Sequence, residues 1–359
     1  MVKQVIFRNG IFQAILMVTL LMLFSAWNEP EFHTLSAGIQ PQVSIDTKGI
    51  VRVVFGRNDS IFCATSINQG KTFSASIWVA KVKEMHIGMG RGPQIASSVK
   101  FSVITAMDKS GEIHFFQLDH KNDKWVSKGF INDTKSSAPE GLMSIAADNR
   151  DNFYAVWLDT RQDKKNNIYF SSLMSAESKW SKNKLVYLSP DSHVCECCKP
   201  NLAVSKGKLA IMFRNWLGGS RDLYLVKSDN LGKTFEMAQK LGLGTWKLNG
   251  CPMDGGGLAF DDHGKIQTTW QREGIIYTCT PGDKEVKLAA GRGCVMAHNS
   301  KNNQWVVAYQ EGENAKLVEI TENKELMAVK GSSMKPLVLA NGKILCFWEL
   351  NKTIMFRLI

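Results

Sequence analysis

The chain has 359 residues, 44% of them hydrophobic and 21% charged, a balance that excludes a disordered or low-complexity chain and allows a large buried core. Lys and Arg outnumber Asp and Glu by 44 to 33, for a net charge of +11; the surplus suits an acidic partner, but the total does not choose among nucleic acid, anionic membrane and acidic substrate. Glycine (29), phenylalanine (18) and tryptophan (10) are plentiful while Ala/Glu/Leu runs are scarce, which favours β structure with many tight turns.

Residues 1–26 read as a secretion signal. Lys3 and Arg8 precede an apolar run from Ile11 to Phe24, and the small residues Ser25 and Ala26 follow it. An uncleaved membrane anchor is the alternative, because the run approaches spanning length. No Cys follows it, which argues against a lipid anchor. The expected compartment is periplasmic or extracellular, where the eight cysteines meet an oxidising environment and nucleic acid is not an expected partner. Membrane contact is expected only through an uncleaved N-terminal segment. Loss of Lys3 and Arg8 with the signal lowers the net charge to +9.

The rest of the chain is repetitive. A unit opens on a short strand, as in Pro41-Gln-Val-Ser-Ile45, Pro93-Gln-Ile-Ala96, Pro200-Asn-Leu-Ala-Val204 and Pro336-Leu-Val-Leu339, and continues through a polar turn such as Asp46-Thr-Lys-Gly49 or Asp261-Asp-His-Gly264. A second strand carries an aromatic at a matching place: Phe55, Trp157, Phe213, Trp270, Tyr309 and Trp348; one unit has Ala106-Met107 instead. A third strand alternates in polarity, as in Asn167-Ile-Tyr-Phe-Ser-Ser172. Units recur about every 40–60 residues, the length of a four-stranded propeller blade. The expected fold is therefore an all-β propeller over residues 39–359, with seven units counted and six as the alternative. The last unit has room for three strands, and the segment 27–38 is placed to supply a fourth around 32–37. A monomer is expected.

After the third strand, two units carry Ser66-Ile-Asn-Gln-Gly-Lys-Thr-Phe73 and Ser228-Asp-Asn-Leu-Gly-Lys-Thr-Phe235. These segments resemble the Asp-box (BNR) turn, Ser-x-Asp-x-Gly-x-Thr-Trp/Phe, of the sialidase-like superfamily, with Asn68 and Asn230 at the acidic position. The stretch Ala155-Val-Trp-Leu-Asp-Thr-Arg161 is also similar to blade sequences of that superfamily. The resemblance implies that the Asp-box turns lie away from the site, so that the opposite face gathers the loops from second to third strands and from blade to blade. Those loops carry Arg57, Arg91, Arg161, Arg214, Arg221, Arg272 and Arg292, seven of the eleven arginines. A ring of planar guanidiniums suits a carboxylate, phosphate or sulfate; the competing reading is that the same arginines pair with neighbouring carboxylates and tie loops together.

The resemblance further implies a catalytic set in which a Tyr assisted by a Glu attacks and an Asp serves as acid/base. Tyr309, Glu311 and Asp59 are the residues here that suit those roles, with Tyr309 equally readable as the blade aromatic. The early Phe/Tyr-Arg-Ile-Pro motif of sialidases is absent.

His193-Val-Cys-Glu-Cys-Cys198 and Asn249-Gly-Cys-Pro-Met253 open neighbouring units. Cys195, Cys197, Cys198 and Cys251 are expected to meet, either as disulfides, which is the default in an exported protein, or as a soft-metal site for copper or zinc with His193 or Met253 as further ligands. Apart from that metal no cofactor is expected. The pair of motifs resembles a feature of bacterial exported Asp-box proteins.

Three functions follow as expectations. One is an exo-acting glycoside hydrolase on a sialic-acid-like sugar. The second is a non-catalytic propeller that binds an acidic glycan, a small anion or a protein. The third is a thiol or metal site on a propeller scaffold.

Overall fold

The computed structural model of the protein describes residues 32–359, and the signal reading of 1–26 lies outside the described residues. Residues 34–359 form one compact unit. Its strands make seven antiparallel four-stranded sheets, the blades of a seven-bladed propeller. Blade 1 runs through Ile39–Ile45, Val51–Arg57, Ser60–Ser66 and Ile77–Lys81, and blades 2 to 6 repeat that order. Their innermost strands are Gln94–Ser97, Met143–Ala147, Asn201–Ser205, Gly257–Phe260 and Arg292–Asn299. Blade 7 takes Ser332–Val338, Ile344–Leu350 and Thr353–Leu358 from the C-terminal end, and His33–Ala37 adds its outermost strand. One sheet thus joins both ends of the ring.

The second-strand aromatics form the centres of the blades. Phe55, Trp157 and Phe213 are wholly buried, and Trp270, Tyr309 and Trp348 nearly so. In four blades each faces a third-strand aromatic across the register: Phe55 opposite Phe62, Trp157 opposite Tyr169, Phe213 opposite Tyr224 and Trp270 opposite Tyr277. The ring centroids stand 6.0–6.5 Å apart, within the range of favourable offset pairs. Burying such a ring contributes roughly 1.5–3 kcal/mol. Apolar side chains on the faces of each sheet then pack on the next, as Val54, Ile61 and Phe116 do between blades 1 and 2 and Val53, Phe347 and Phe356 do between blades 1 and 7. A four-stranded sheet has two apolar faces, and the closed ring covers both.

The two Asp-box-like turns share one hydrogen-bond pattern. The amides of Gly70 and Gly232 each donate to Ser66 Oγ and Ser228 Oγ at 2.9 Å, and those of Thr72 and Thr234 donate to Asn68 Oδ1 and Asn230 Oδ1 at 3.0 and 2.9 Å. The Asn acceptor therefore takes the acidic residue's place. Gly70 and Gly232 sit at φ +78° and +82°, a region glycine enters freely. The closing aromatics reach the preceding blade: Phe73 lies edge-on to Phe347 and Phe356 of blade 7, and Phe235 edge-on to Phe170 of blade 3. These turns fasten neighbouring blades as well as closing their own. In an antiparallel blade they share an end with the turns from first to second strands. The loops from second to third strands and between blades share the other end.

Candidate thiol and metal site

The arginine-bearing loops lie at that second end, and most of their guanidiniums are already occupied. Arg57 stacks on Phe62 at 4.1 Å, Arg161 on Tyr169 at 4.5 Å and Arg272 on Tyr277 at 4.3 Å. Each of these aromatics is the third-strand partner of a blade aromatic, so the arginine caps a stack that the repeat builds. Arg161 also donates to Asp159 and Asp133 at 2.8 and 2.6 Å, and Arg272 to Glu285 at 2.8 Å. Burial pushes the Glu285 carboxyl up, but the amides of Leu243 and Gly244 and the Arg272 guanidinium outweigh it and hold the group at about 2. Arg91 bonds the Glu140 carbonyl at 2.6 Å. Arg214, buried, donates to the carbonyls of Asp254, Arg221 and Gln271 at 2.7–3.0 Å. Arg292 is exposed, and alone of the seven it has neither a ring beneath it nor a bonded partner among the described residues.

Tyr309 occupies the blade-aromatic position of blade 6. A Cβ on Gly291 would strike its ring, just as one on Gly38 would strike Phe55 and one on Gly331 would strike Trp348. A glycine before the innermost strand thus lets the chain cross the aromatic in three blades. Burial first, with Glu311 and Glu325 adding, pushes the Tyr309 phenol up against the opposing charge of Lys316. Glu311 pairs with Lys316 at 2.5 Å. Asp59 accepts from the Met85 amide at 3.3 Å. No contact among the described residues joins Asp59, in blade 1, to Tyr309 or Glu311 in blade 6.

The cysteines do come together. The connection from blade 3 to blade 4 is pinned where the Val194 amide bonds the Asn166 carbonyl at 2.8 Å and the Cys195 amide bonds the Arg214 carbonyl at 3.0 Å. That lays Cys195, Cys197 and Cys198 over the end of the second strand of blade 4, Lys208–Arg214. Their three Sγ atoms lie within 4.8 Å of one another, all buried, and this three-cysteine cluster can coordinate a soft metal ion. Two thiolates bound to one zinc at about 2.3 Å stand roughly 3.8 Å apart in tetrahedral geometry. The separations of 3.7 Å (Cys195–Cys197) and 4.0 Å (Cys197–Cys198) match that spacing. The third, 3.3 Å between Cys195 and Cys198, is a hydrogen-bond contact. Cys197 is joined to Cys251 of the next connection by a disulfide, with Cα atoms 6.2 Å apart. Both sequence readings of these residues therefore meet in one place: the disulfide engages Cys197, and its reduction presents the sulfurs of both Cys197 and Cys251.

The charges around Cys195 favour a thiolate. Arg221 Nη1 donates to its Sγ at 2.9 Å while the guanidinium stacks on Trp216 at 4.6 Å. The hydrogen bond with Cys198 first, then the Arg221 and Arg214 charges, hold the Cys195 thiol at about 7 against the opposing effect of burial. Burial and the neighbouring Cys195 push Cys198 well up. One thiol of the pair is thus acidic and the other donates to it. His193, expected as a further ligand, lies outside the three-sulfur cluster: it stacks on Trp216 at 5.9 Å, and its Nδ1 faces the Val194 carbonyl at 3.0 Å. Met253 is 41% exposed, at φ +52°. The remaining cysteines, Cys63, Cys279, Cys294 and Cys346, are buried, free and spread over separate blades.

The role of Arg221 escaped the sequence reading, which placed it in a ring of anion ligands. Its partner is a sulfur 26 positions away, and only the meeting of a loop within the blade and a loop between blades brings the two together.

No protein-family model matches the chain, and no curated protein matches it. Among solved structures, the chain is similar to the BP39L lectin from Burkholderia pseudomallei, with 10% identity over 89% of this chain and 97% of the lectin and a TM-score of 0.61. It is also similar to the polysaccharide lyase Uly1, with 9% identity over 91% and 90% of the two chains and a TM-score of 0.58. The NanB sialidase from Streptococcus pneumoniae, as its K499G mutant, aligns at 12% identity over 92% and 68% of the two chains with a TM-score of 0.46. The likeness places the chain among distantly related, low-identity propellers and shows the fold alone.

Proposed function

We propose that the protein is an exported propeller whose working site is the cluster of Cys195, Cys197, Cys198 and Cys251, a soft-metal and thiol site on a rigid scaffold. The observation that carries this reading is the convergence of three sulfurs within 4.8 Å with the Arg221 guanidinium 2.9 Å from one of them. A thiolate trio around a monovalent or divalent soft cation carries excess negative charge, and Arg221 and the buried Arg214 are placed to offset it. Copper(I) and zinc are the ions that suit such sulfurs. The apolar run at 11–24 supports export to the periplasm or beyond, where the disulfide form is stable until reduced. The arginine-lined hydrolase has less support, because six of its seven arginines are stacked or bonded within the protein and Tyr309 is packed as a blade aromatic.

The test is metal titration of the full chain, reduced and stripped, against a competing chelator. One equivalent of copper(I) or zinc is expected to bind. Cys195→Ser and Cys198→Ser should each abolish tight binding, while Cys346→Ser should leave it unchanged. A reduced protein with every thiol titratable and no bound metal would refute the proposal.

A further inference from the structure

The four cysteines of the cluster are in two oxidation states at once. Cys197 is bonded to Cys251, in the connection to blade 5, while Cys195 and Cys198 are free thiols 3.3 Å apart. Within Cys195-Glu-Cys-Cys198 the free pair has Cys-x-x-Cys spacing and the bonded Cys197 lies inside it. Cys195 Sγ stands 3.7 Å from Cys197 Sγ, and Cys198 Sγ stands 4.0 Å from it. Sulfurs at 3.7 Å are in van der Waals contact, so a free thiol already faces one end of a disulfide.

Arg221 holds that arrangement from both sides. Its Nη1 donates to Cys195 Sγ at 2.9 Å, and its Nε donates to the carbonyl of Leu248, three residues before Cys251, at 3.4 Å. One guanidinium thus ties the segment with the free thiols to the segment with the far end of the disulfide. Its charge also favours Cys195 as the anion that attacks a disulfide. Access to the two pairs is unequal. Cys195 and Cys198 are 0% and 1% exposed, whereas Cys251 lies at the surface. A reagent in solvent meets Cys251 and not the free pair.

We propose that the cluster is a disulfide relay, in which the buried Cys195 and Cys198 store two electrons and Cys251 delivers them to a disulfide of another molecule. The inference rests on the cysteine cluster being the working site, but it needs no metal. In the first step the Cys195 thiolate attacks Cys197 Sγ; the Cys195–Cys197 bond forms, the Cys197–Cys251 bond breaks, and Cys251 leaves as thiolate. Cys198 then loses its proton, which Cys251 takes up through solvent, and attacks Cys195 Sγ, expelling Cys197 as thiolate. The 3.3 Å between Cys195 and Cys198 shortens by about 1.3 Å as that bond closes. Cys251 next attacks the external disulfide and expels one thiolate. Cys197 attacks Cys251 in turn, which restores the Cys197–Cys251 bond and expels the second.

The test uses the full chain, unreduced and with a chelator present. It is incubated with iodoacetamide, quenched in acid and mapped for disulfides in its peptides. The wild type should lose the Cys197–Cys251 link with no reductant added, ending with alkylated Cys251 and a Cys195–Cys198 disulfide. Cys195→Ala should keep the link and leave Cys251 unlabelled. Cys198→Ala should release Cys251 but stop at a Cys195–Cys197 bond. With the disulfide probe dithiobis-nitrobenzoate in place of iodoacetamide, the wild type should release about two equivalents of thionitrobenzoate and Cys195→Ala none. A wild type that keeps its link overturns the proposal, as does equal release of Cys251 in Cys195→Ala. Labelling of the buried Cys63 and Cys346 along with Cys251 also overturns it, because release would then come from unfolding. If a variant fails to fold, the wild-type map decides alone. Metal titration of the reduced chain is read separately: a protein that exchanges without binding metal keeps the relay and loses the metal site, and one that binds metal but holds its disulfide fixed does the reverse.

Discussion

Arg161 in blade 3 and Arg221 in blade 4 sit in equivalent loops of adjacent blades, and each stacks on an aromatic ring at 4.5–4.6 Å. Their partners differ. Arg161 is neutralised by two carboxylates, one of them the wholly buried Asp159. Arg221 has the sulfur of Cys195 at 2.9 Å and the half-exposed Glu196 at 3.5 Å. A guanidinium matched by carboxylates ties a loop and has little charge left to offer. One matched by an ionisable thiol makes its neighbour more acidic. The loop position is the same in both blades, and the group across from the arginine decides between structure and chemistry.

The largest effect that separates the two belongs to Arg161. Arg161→Met leaves Asp159 buried without its cation, although the Trp157 indole and the Arg161 backbone amide still donate to it. Breaking a buried pair from one side costs about 2–4 kcal/mol here, measurable as a fall in the urea midpoint, with metal uptake unchanged. Arg221→Met should cost less stability, roughly 1 kcal/mol, and act on the thiol instead. Thiolate absorbance followed against pH should place Cys195 near 7 in the wild type. The variant should move it up by on the order of one pH unit, and Cys198→Ala should move it further, because the Cys198 hydrogen bond is the larger influence. If Arg161→Met is as mild as Arg221→Met, or if the thiol titrates identically in all three proteins, the contrast is wrong.

The architecture was far more legible in the sequence than this contrast. Blade aromatics, Asx turns and strand alternation repeat with a period of one blade, and repetition is what a single sequence displays. The seven units and the three-stranded last unit could be counted because each copy meets the same packing demand. The site is not repeated. Cys-x-Cys-Cys marked the cluster, but the arginines were read as a set because they recur at matching places. The structure gives the physical reason for that recurrence: Arg57, Arg161 and Arg272 cap the third-strand aromatics. A periodic signal reports scaffold packing whatever its charge.

A smaller effect concerns Arg272, a third member of the loop set. Its partner Glu285 is held below its ordinary range, at about 2. A carboxyl depressed in the folded state contributes stability that is full above about pH 4.5, near its unfolded value, and is lost as pH falls through about 2. Arg272→Met removes one of the groups holding the carboxylate, at a cost of roughly 1 kcal/mol near pH 7. It also flattens the dependence of stability on pH between 5 and 2, which urea titrations across that range would show. An unchanged slope would mean that the amides of Leu243 and Gly244 hold the carboxylate alone.

The smallest effect bears most directly on what the loop face is for. Arg57 is exposed and lies 4.1 Å over Phe62, an interaction of about 0.5–1 kcal/mol at such a site. A double-mutant cycle of Arg57→Met with Phe62→Leu should return a coupling of that size. Arg292, exposed and without a pair among the described residues, should have no measurable effect on stability when replaced by Ala. These two arginines are the ones most open to an acidic glycan, and their replacement should leave binding of copper(I) and zinc untouched if the working site is the cysteine cluster. Loss of sialoside or acidic-glycan binding in Arg292→Ala, with no change in stability, would instead put function on the loop face. The arginines would then divide into cappers that build the blades and a minority that meets the ligand.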